Sequence, residues 1–429
     1  MGSVMTRPRL LLLCQTLPFP PDGGVWIRTY HVLRLLARTF DVTALCFERS
    51  TSAEGGADVA AARDALGRFA ATEVFPIPQR HSRLRYVWDH VRSVARRQVY
   101  TTYLYGSRPF RRRLADLLKE DTFDLVHVDS LDLAGYLPMC NGVPVVCVHH
   151  NVESMLLQRR STIERQGWRS RYLGYQARLT EETERRWCER VALNVMVSEE
   201  DRRSLQRIAP GSRTTVVPNG VDVGEFHPEG SEGSGIAFMG GITWFPNRDA
   251  LEFYCADILP HLKAARSDVR TRWVGAATPE QRRWYGDEHG LELTGHVEDV
   301  RPWMQEAACH VVPLRAGGGT RLKILNSWAM GKAVVSTSVG CEGLATIDGE
   351  NILIRDDPKD FAQAILAVLA DPGLRQRLGE GGRSTAERLY SWDVIGQHMI
   401  ETYLSVATAP SRGLAIAAGA IRADPGYSS

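Results

Sequence analysis

The chain carries one structural rhythm twice. From Leu10 to about Val197, short apolar runs rich in β-formers alternate with stretches of helical spacing. The runs are Leu10 to Cys14, Val42 to Phe47, Leu125 to Val128, Val143 to Val148 and Leu193 to Val197. A second series passes through Ile236 to Met239, Thr271 to Val274, Leu291 to Leu293, His310 to Pro313 and Ala333 to Ser336. Such alternation calls for parallel sheets with crossover helices packed on them. Between the two series, Val223 to Gly235 is rich in Gly, Glu, Ser and Pro and reads as an exposed linker. A chain of 429 residues exceeds what one core usually supports, so two α/β domains are expected, 8–228 and 229–390. Ser391-Trp392-Asp393 offers a cap for a last helix, 391–406, and the Ala, Gly, Ser and Pro content of 407–429 predicts a disordered tail.

Apolar content of 44% and charged content of 24% suit a globular chain, and a net charge of +2 gives no global reason to expect nucleic acid. The eight cysteines form no CxxC pair, and several sit inside apolar runs. They read as reduced, buried thiols of a cytoplasmic protein. No stretch approaches the roughly 18 apolar residues of a membrane span. Charge is nevertheless clustered locally. Arg80, Arg83, Arg85, Arg92, Arg96, Arg97, Arg108 and Arg111 to Arg113 interleave with Tyr86, Val87, Trp88, Val91, Val94, Tyr100 and Tyr103. Two readings stand: a helix lying on an anionic membrane surface, which would make the protein peripheral on the inner face of the membrane, or a solvated charged face over ordinary core residues. No nucleic-acid recognition motif accompanies the charge.

In open α/β sheets ligands bind beyond the carboxyl ends of the strands, so the loops there bear most on function. After the first run comes Pro18 to Val25, with Gly23 and Gly24 opening a helix; paired glycines there suit either an anion or a plain tight turn. The segment Arg315 to Lys323 is more specific. Gly317, Gly318 and Gly319 would leave backbone amides open, the next helix adds its positive end, and Arg321 and Lys323 add two charges. This combination predicts a diphosphate cradle.

The segment Gly317 to Ser338, with Val216, Pro218-Asn219-Gly220-Val221-Asp222, Phe238-Met239-Gly240-Gly241, Pro246-Asn247, Gly295-His296-Val297 and Tyr390-Ser391-Trp392, resembles the retaining family-4 glycosyltransferases of the GT-B fold. The resemblance covers roughly 8–405. It implies two Rossmann-like domains facing across a cleft, an acceptor-side N-terminal one and a C-terminal one for the nucleotide-sugar donor, with the last helix returning to the N-terminal domain. It implies transfer of a sugar, with retention, to an acceptor hydroxyl on a saccharide or lipid-linked saccharide. Donor-binding positions carried over are Gly23, Gly24, Gly240, Gly241, Asn247, Val297, Gly318, Gly319, Thr320, Leu322 and Asn326. Asp129 and His149 match positions near the transferred sugar, with Arg321 and Lys323 as the other expected catalytic residues; Asn151 and Glu153 match acceptor positions.

Two departures qualify the match. The usual acidic pair, Glu-x7-Glu, is replaced by Gly318 and Asn326, and the usual Arg and Lys near the first strand of the second domain by Gly241 and Asn247. Arg321 and Lys323 are therefore expected to supply the missing charge. No Asp-x-Asp occurs in the chain, so no metal and no other cofactor is expected. The same fold also serves nucleotide-sugar epimerases, and loss of the acidic pair leaves room for a nucleotide-sugar binding protein without catalysis.

Overall fold

A computed structural model describes residues 7–21, 23–49, 59–164, 166–230, 233–316 and 321–409. They fall into two compact units, one within residues 7–217 with 396–409 and one within residues 218–395. The division falls between Val217 and Pro218, ahead of the polar stretch where the sequence suggests the cut, and the last helix is shared between the two units.

The first unit holds a parallel sheet of seven strands: β1 (Arg9–Cys14), β2 (Asp41–Phe47), β3 (Ala71–Phe75), β4 (Leu125–Val128), β5 (Val145–His149), β6 (Leu193–Met196) and β7 (Thr214–Val216). Their spatial order is β3-β2-β1-β4-β5-β6-β7. Leu10 to Cys14 and Leu125 to Val128 are buried throughout, as expected of central strands covered on both faces. The direction of strand order reverses between β1 and β4, and Leu10 to Leu13 pair in register with Leu125 to Val128. A crevice beyond such a reversal is where this architecture places ligands.

The second unit repeats the plan with six parallel strands: β8 (Ile236–Met239), β9 (Thr271–Val274), β10 (Glu292–Gly295), β11 (Cys309–Val312), β12 (Ala333–Ser336) and β13 (Leu353–Ile354). Their order is β10-β9-β8-β11-β12-β13, so the reversal lies between β8 and β11. Trp273 stacks on Phe238 with centroids 3.8 Å apart, and Trp328 anchors the opposite part of the core, its indole N–H donating to the Asn351 carbonyl at 2.7 Å.

The helix Trp392–Ala407 ends in the first unit, where Met399 and Tyr403 are buried. A side chain at Gly396 would strike Leu35, so only glycine lets this helix lie so close to the helix Gly24–Leu36. Tyr403 Oη and His127 Nδ1 are hydrogen-bonded at 3.0 Å in a fully buried environment. Tyr403→Phe is expected to cost about 1–3 kcal/mol by stranding that nitrogen. Urea denaturation measures it; an unchanged midpoint would mean that the bond contributes nothing. The tail predicted from 407 lies outside the described residues from 410 onward. All eight cysteines are unpaired and buried. Among the described residues, no helix is long and apolar enough to cross a membrane.

Candidate active site

At the β1/β4 reversal, Asp129 follows β4 and is fixed from several sides. Its N–H donates to the Leu13 carbonyl at 2.9 Å, and Thr29 Oγ1, from the helix after β1, lies 3.1 and 2.9 Å from the two carboxylate oxygens. His127 Nε2 is 3.7 Å from one oxygen and His150 Nε2 is 3.6 Å from the other. Burial alone would raise the Asp129 carboxyl, but the facing imidazoles of His150 and His127 outweigh it and hold the group well below the usual carboxylate range. Burial pushes His127 the other way, towards neutrality. Arg28, also buried, donates to the Val217 carbonyl at 2.8 Å; burial lowers its guanidinium to about 10 against the opposing pull of Tyr403 and Asp129.

His149 and His150 separate here. His149, the last residue of β5, turns towards β6, where its Nε2 donates to Asn194 Oδ1 at 3.0 Å, with Cys188 Sγ at 3.8 Å. Asn194 is in turn fixed by its amide donating to the Cys188 carbonyl at 2.7 Å. Burial lowers His149 to about 4, leaving a neutral ring that ties two strands together. It is therefore His150, one residue on, that meets Asp129. The family resemblance points to His149; in the structure that side chain lies on Asn194, and the neighbouring His150 lies on Asp129, because successive residues at a strand end point to opposite sides.

Asn151 Nδ2 donates to Glu153 Oε1 at 3.1 Å, so the two candidate acceptor residues form a pair at the start of the helix Glu153–Ile163. Burial, followed by the nearby Asp132, raises the Glu153 carboxyl above its ordinary range. Glu184, which accepts from the Ser154 N–H and hydroxyl, is pushed up to about 7 by burial. Gly23 sits at the entry to the helix Gly24–Leu36, where a Cβ would meet the Trp26 ring at 2.5 Å; that ring is covered by the Arg49 guanidinium at 3.5 Å. Close packing against Trp26 thus accounts for this glycine in the fold.

In the second unit the residues after β8 and β11 converge. Gly240 has φ +146°, where only glycine is unstrained, and a Cβ there would meet the Asn247 amide at 2.5 Å. Asn247 Nδ2 donates to the Gly241 carbonyl at 2.8 Å, and Lys323 Nζ donates to Asn247 Oδ1 at 2.7 Å while lying 4.0 Å from the centroid of the Phe238 ring. Burial and then the charge of Arg321 push the Lys323 ammonium well below the usual lysine range. Arg315 makes a bidentate pair with Asp249, at 2.7 and 3.1 Å, and covers Phe253. Both ends of the glycine segment are thereby tied to one helix, Phe245–Phe253.

Gly317, Gly318, Gly319 and Thr320 lie outside the described residues. Arg321 is buried at the start of the helix Leu322–Ala329 and donates to the Val339 carbonyl at 3.3 Å, beside the turn after β12. Leu322 is half-buried against the core, and Val297 is half-buried just beyond β10. Asn326 is half-buried on the Leu322–Ala329 helix, and among the described residues no hydrogen bond of its side chain is seen. The sequence alone does not single out Thr29, His127 or Asp249, and it places His150 and Arg315 in candidate loops without giving either a role of its own. A signal existed for one of them: period-two alternation puts His127 and Asp129 on the same side of the chain.

Residues 22–225 match the family model for Glycosyltransferase Family 4, and residues 233–371 that for Glycosyl transferases group 1. A phosphatidyl-myo-inositol mannosyltransferase from Mycobacterium leprae is 28% identical over 239 residues, covering 53% of this chain and 63% of the relative. The chain thus spans less than two thirds of that curated relative's length. Among solved structures, the Anabaena protein Alr3699/HepE, in complex with UDP and glucose, superposes with a TM-score of 0.64 at 14% identity, over 93% of this chain and 100% of the other. Sucrose-phosphate synthase from Thermosynechococcus elongatus gives 0.68 at 17%, over 94% and 100%. At such identities the likeness speaks for the fold, while the two family models account for most of both units. Taken with two parallel sheets of matching plan, they place this chain in the family-4, group 1 glycosyltransferases with the GT-B fold.

Proposed function

We propose that this protein moves a sugar from a nucleoside-diphosphate donor to an acceptor hydroxyl, with retention of anomeric configuration. One observation carries the reading: Lys323 reaches Asn247 from the far end of the glycine segment, setting a basic side chain between the loops after β8 and β11. The reversal there, a glycine-bearing segment and two basic side chains suit a diphosphate. Its negative charge would offset the burial that disfavours the Lys323 ammonium, and Arg321 would add to the neutralisation as the glycosidic bond breaks. The leaving phosphate would help to take the acceptor proton on the same face. In the first unit, Asp129 is covered on all sides seen, so we assign it a positioning role acting through His150, with Asn151 and Glu153 on the acceptor side. The mycobacterial relative is named for phosphatidyl-myo-inositol, which favours a lipid-linked or saccharide acceptor here too.

Binding tests this reading before turnover does. Titrating UDP, GDP and ADP while following the melting temperature should reveal one nucleotide that raises it, because a ligand held by the native state alone stabilises that state. If none does so at millimolar concentration, the donor site is wrongly assigned. The charge on the leaving group is assigned to Arg321 and Lys323, so excess EDTA is expected to leave turnover intact. Loss of turnover that Mg²⁺ or Mn²⁺ restores would contradict that assignment. Asn326 stands where the family usually carries a carboxylate. If the donor ribose lies there, Asn326→Glu should tighten nucleotide binding by about 1 kcal/mol, the gain of a charged over a neutral acceptor. Calorimetric titration reads it, and weaker or equal binding would place the ribose elsewhere.

A further inference from the structure

The helix Arg83–Arg96 in the first unit is turned inside out. Its inward face is polar: Asp89 and Ser93 are buried, Ser93 Oγ accepts from Gln176 Nε2 at 2.8 Å, and His90 stacks on Tyr100 and meets the Tyr172 hydroxyl at 2.5 Å. The apolar stripe faces solvent, with Leu84 84%, Val87 58%, Trp88 59% and Val91 49% exposed. Their spacing puts all four on one side of the helix. Val94 adjoins them, and Trp168, one turn before Tyr172 on the neighbouring helix Gly167–Cys188, is also exposed.

Arginines flank the stripe. At helical spacing Arg85, Arg92 and Arg96 run along one edge and Arg83 lies on the other. Arg85 bridges to Asp89 at 3.5 Å, and Arg92 covers Tyr103, so that edge is held in place. A soluble domain rarely spends so many large apolar side chains on water. We propose that this face docks on an anionic lipid surface, its valines, leucine and tryptophan entering the headgroup boundary and its arginines meeting lipid phosphates. The charge selects the occupant. A second copy docking through the same face would bring like-charged edges together, whereas an anionic bilayer is complementary to both the stripe and its rim. The inference goes beyond the transfer reaction and does not depend on it.

Co-sedimentation with phosphatidylglycerol and phosphatidylcholine vesicles tests the proposal without any turnover. The intact chain should bind the anionic vesicles at low salt, and binding should weaken as salt shortens the screening length from about 10 Å at 0.1 M towards 3 Å at 1 M. Val87→Glu with Val91→Glu should lower the bound fraction by about tenfold or more, since it removes the apolar contact and adds repulsion. Both positions are exposed, and circular dichroism checks that the variant is folded. Separately, brominated lipid should quench tryptophan emission in the native chain and much less in Trp88→Phe. Failure to bind anionic vesicles at low salt would overturn the proposal. So would full binding by the double glutamate variant, or a concentration-dependent dimer that the same variant abolishes.

Discussion

Lys323→Met is expected to lower sugar transfer by about 10² to 10³, the usual cost of removing one preorganised charge partner of a leaving group. Methionine keeps most of the side-chain volume against Phe238, so the fold should persist. Arg321→Ala is the less clean experiment: Arg321 is buried and bonded to the Val339 carbonyl, so its loss would mix structural damage with lost charge. The Lys323 ammonium carries a further signature. Burial depresses it in the free protein, and a bound diphosphate would raise it. Donor binding should then take up a proton, so affinity is greatest below the free-protein value and falls as pH rises through it. Calorimetry in buffers of different ionisation enthalpy would detect the uptake. Near-native transfer by Lys323→Met, or binding without proton uptake at every pH, would remove Lys323 from the site.

Asp129→Ala should destabilise the first unit by about 3–5 kcal/mol, the range for removing one partner from a buried charged group. The lost carboxylate is the anion that faces His127, His150 and Arg28 and accepts from Thr29. Because its native carboxyl is held below the ordinary value, its contribution is present above about pH 4, the unfolded value, and is lost as pH falls towards the native one. Acid should therefore weaken the wild type more steeply than Asp129→Asn. If Asp129→Ala shifts urea unfolding by less than about 1 kcal/mol, the buried network is not what holds this corner of the sheet. A positioning role for Asp129 also predicts that Asp129→Asn lowers kcat while leaving the donor KM near its native value.

The central strands were legible because their apolar runs are long and bounded. Ile236 to Met239, Thr271 to Val274 and Ala333 to Ser336 form strands with the limits read from sequence. The missed strands are edges. β3 is half-exposed along Ala71–Phe75, β7 spans only Thr214–Val216, and β13 is Leu353–Ile354, too short for any period to register. The basic residues after the glycine run were equally plain, but the place Lys323 reaches was not: Asn247 lies 76 residues away, and only the pairing of β8 with β11 brings the two together. The same holds for the latch of His127 on Tyr403, separated by 276 residues. Local pattern reports which residues could act; long-range pairing decides which of them meet.

The most direct test of the account follows both products of one reaction. The protein is supplied with the nucleoside-diphosphate sugar whose nucleotide stabilises it, together with a panel of saccharide and glycolipid acceptors. Free nucleoside diphosphate and glycosylated acceptor should then appear in equal amounts, the new linkage keeping the donor's anomeric configuration. An epimerised donor, an inverted linkage, or tight donor binding with no sugar transferred to any acceptor would contradict it.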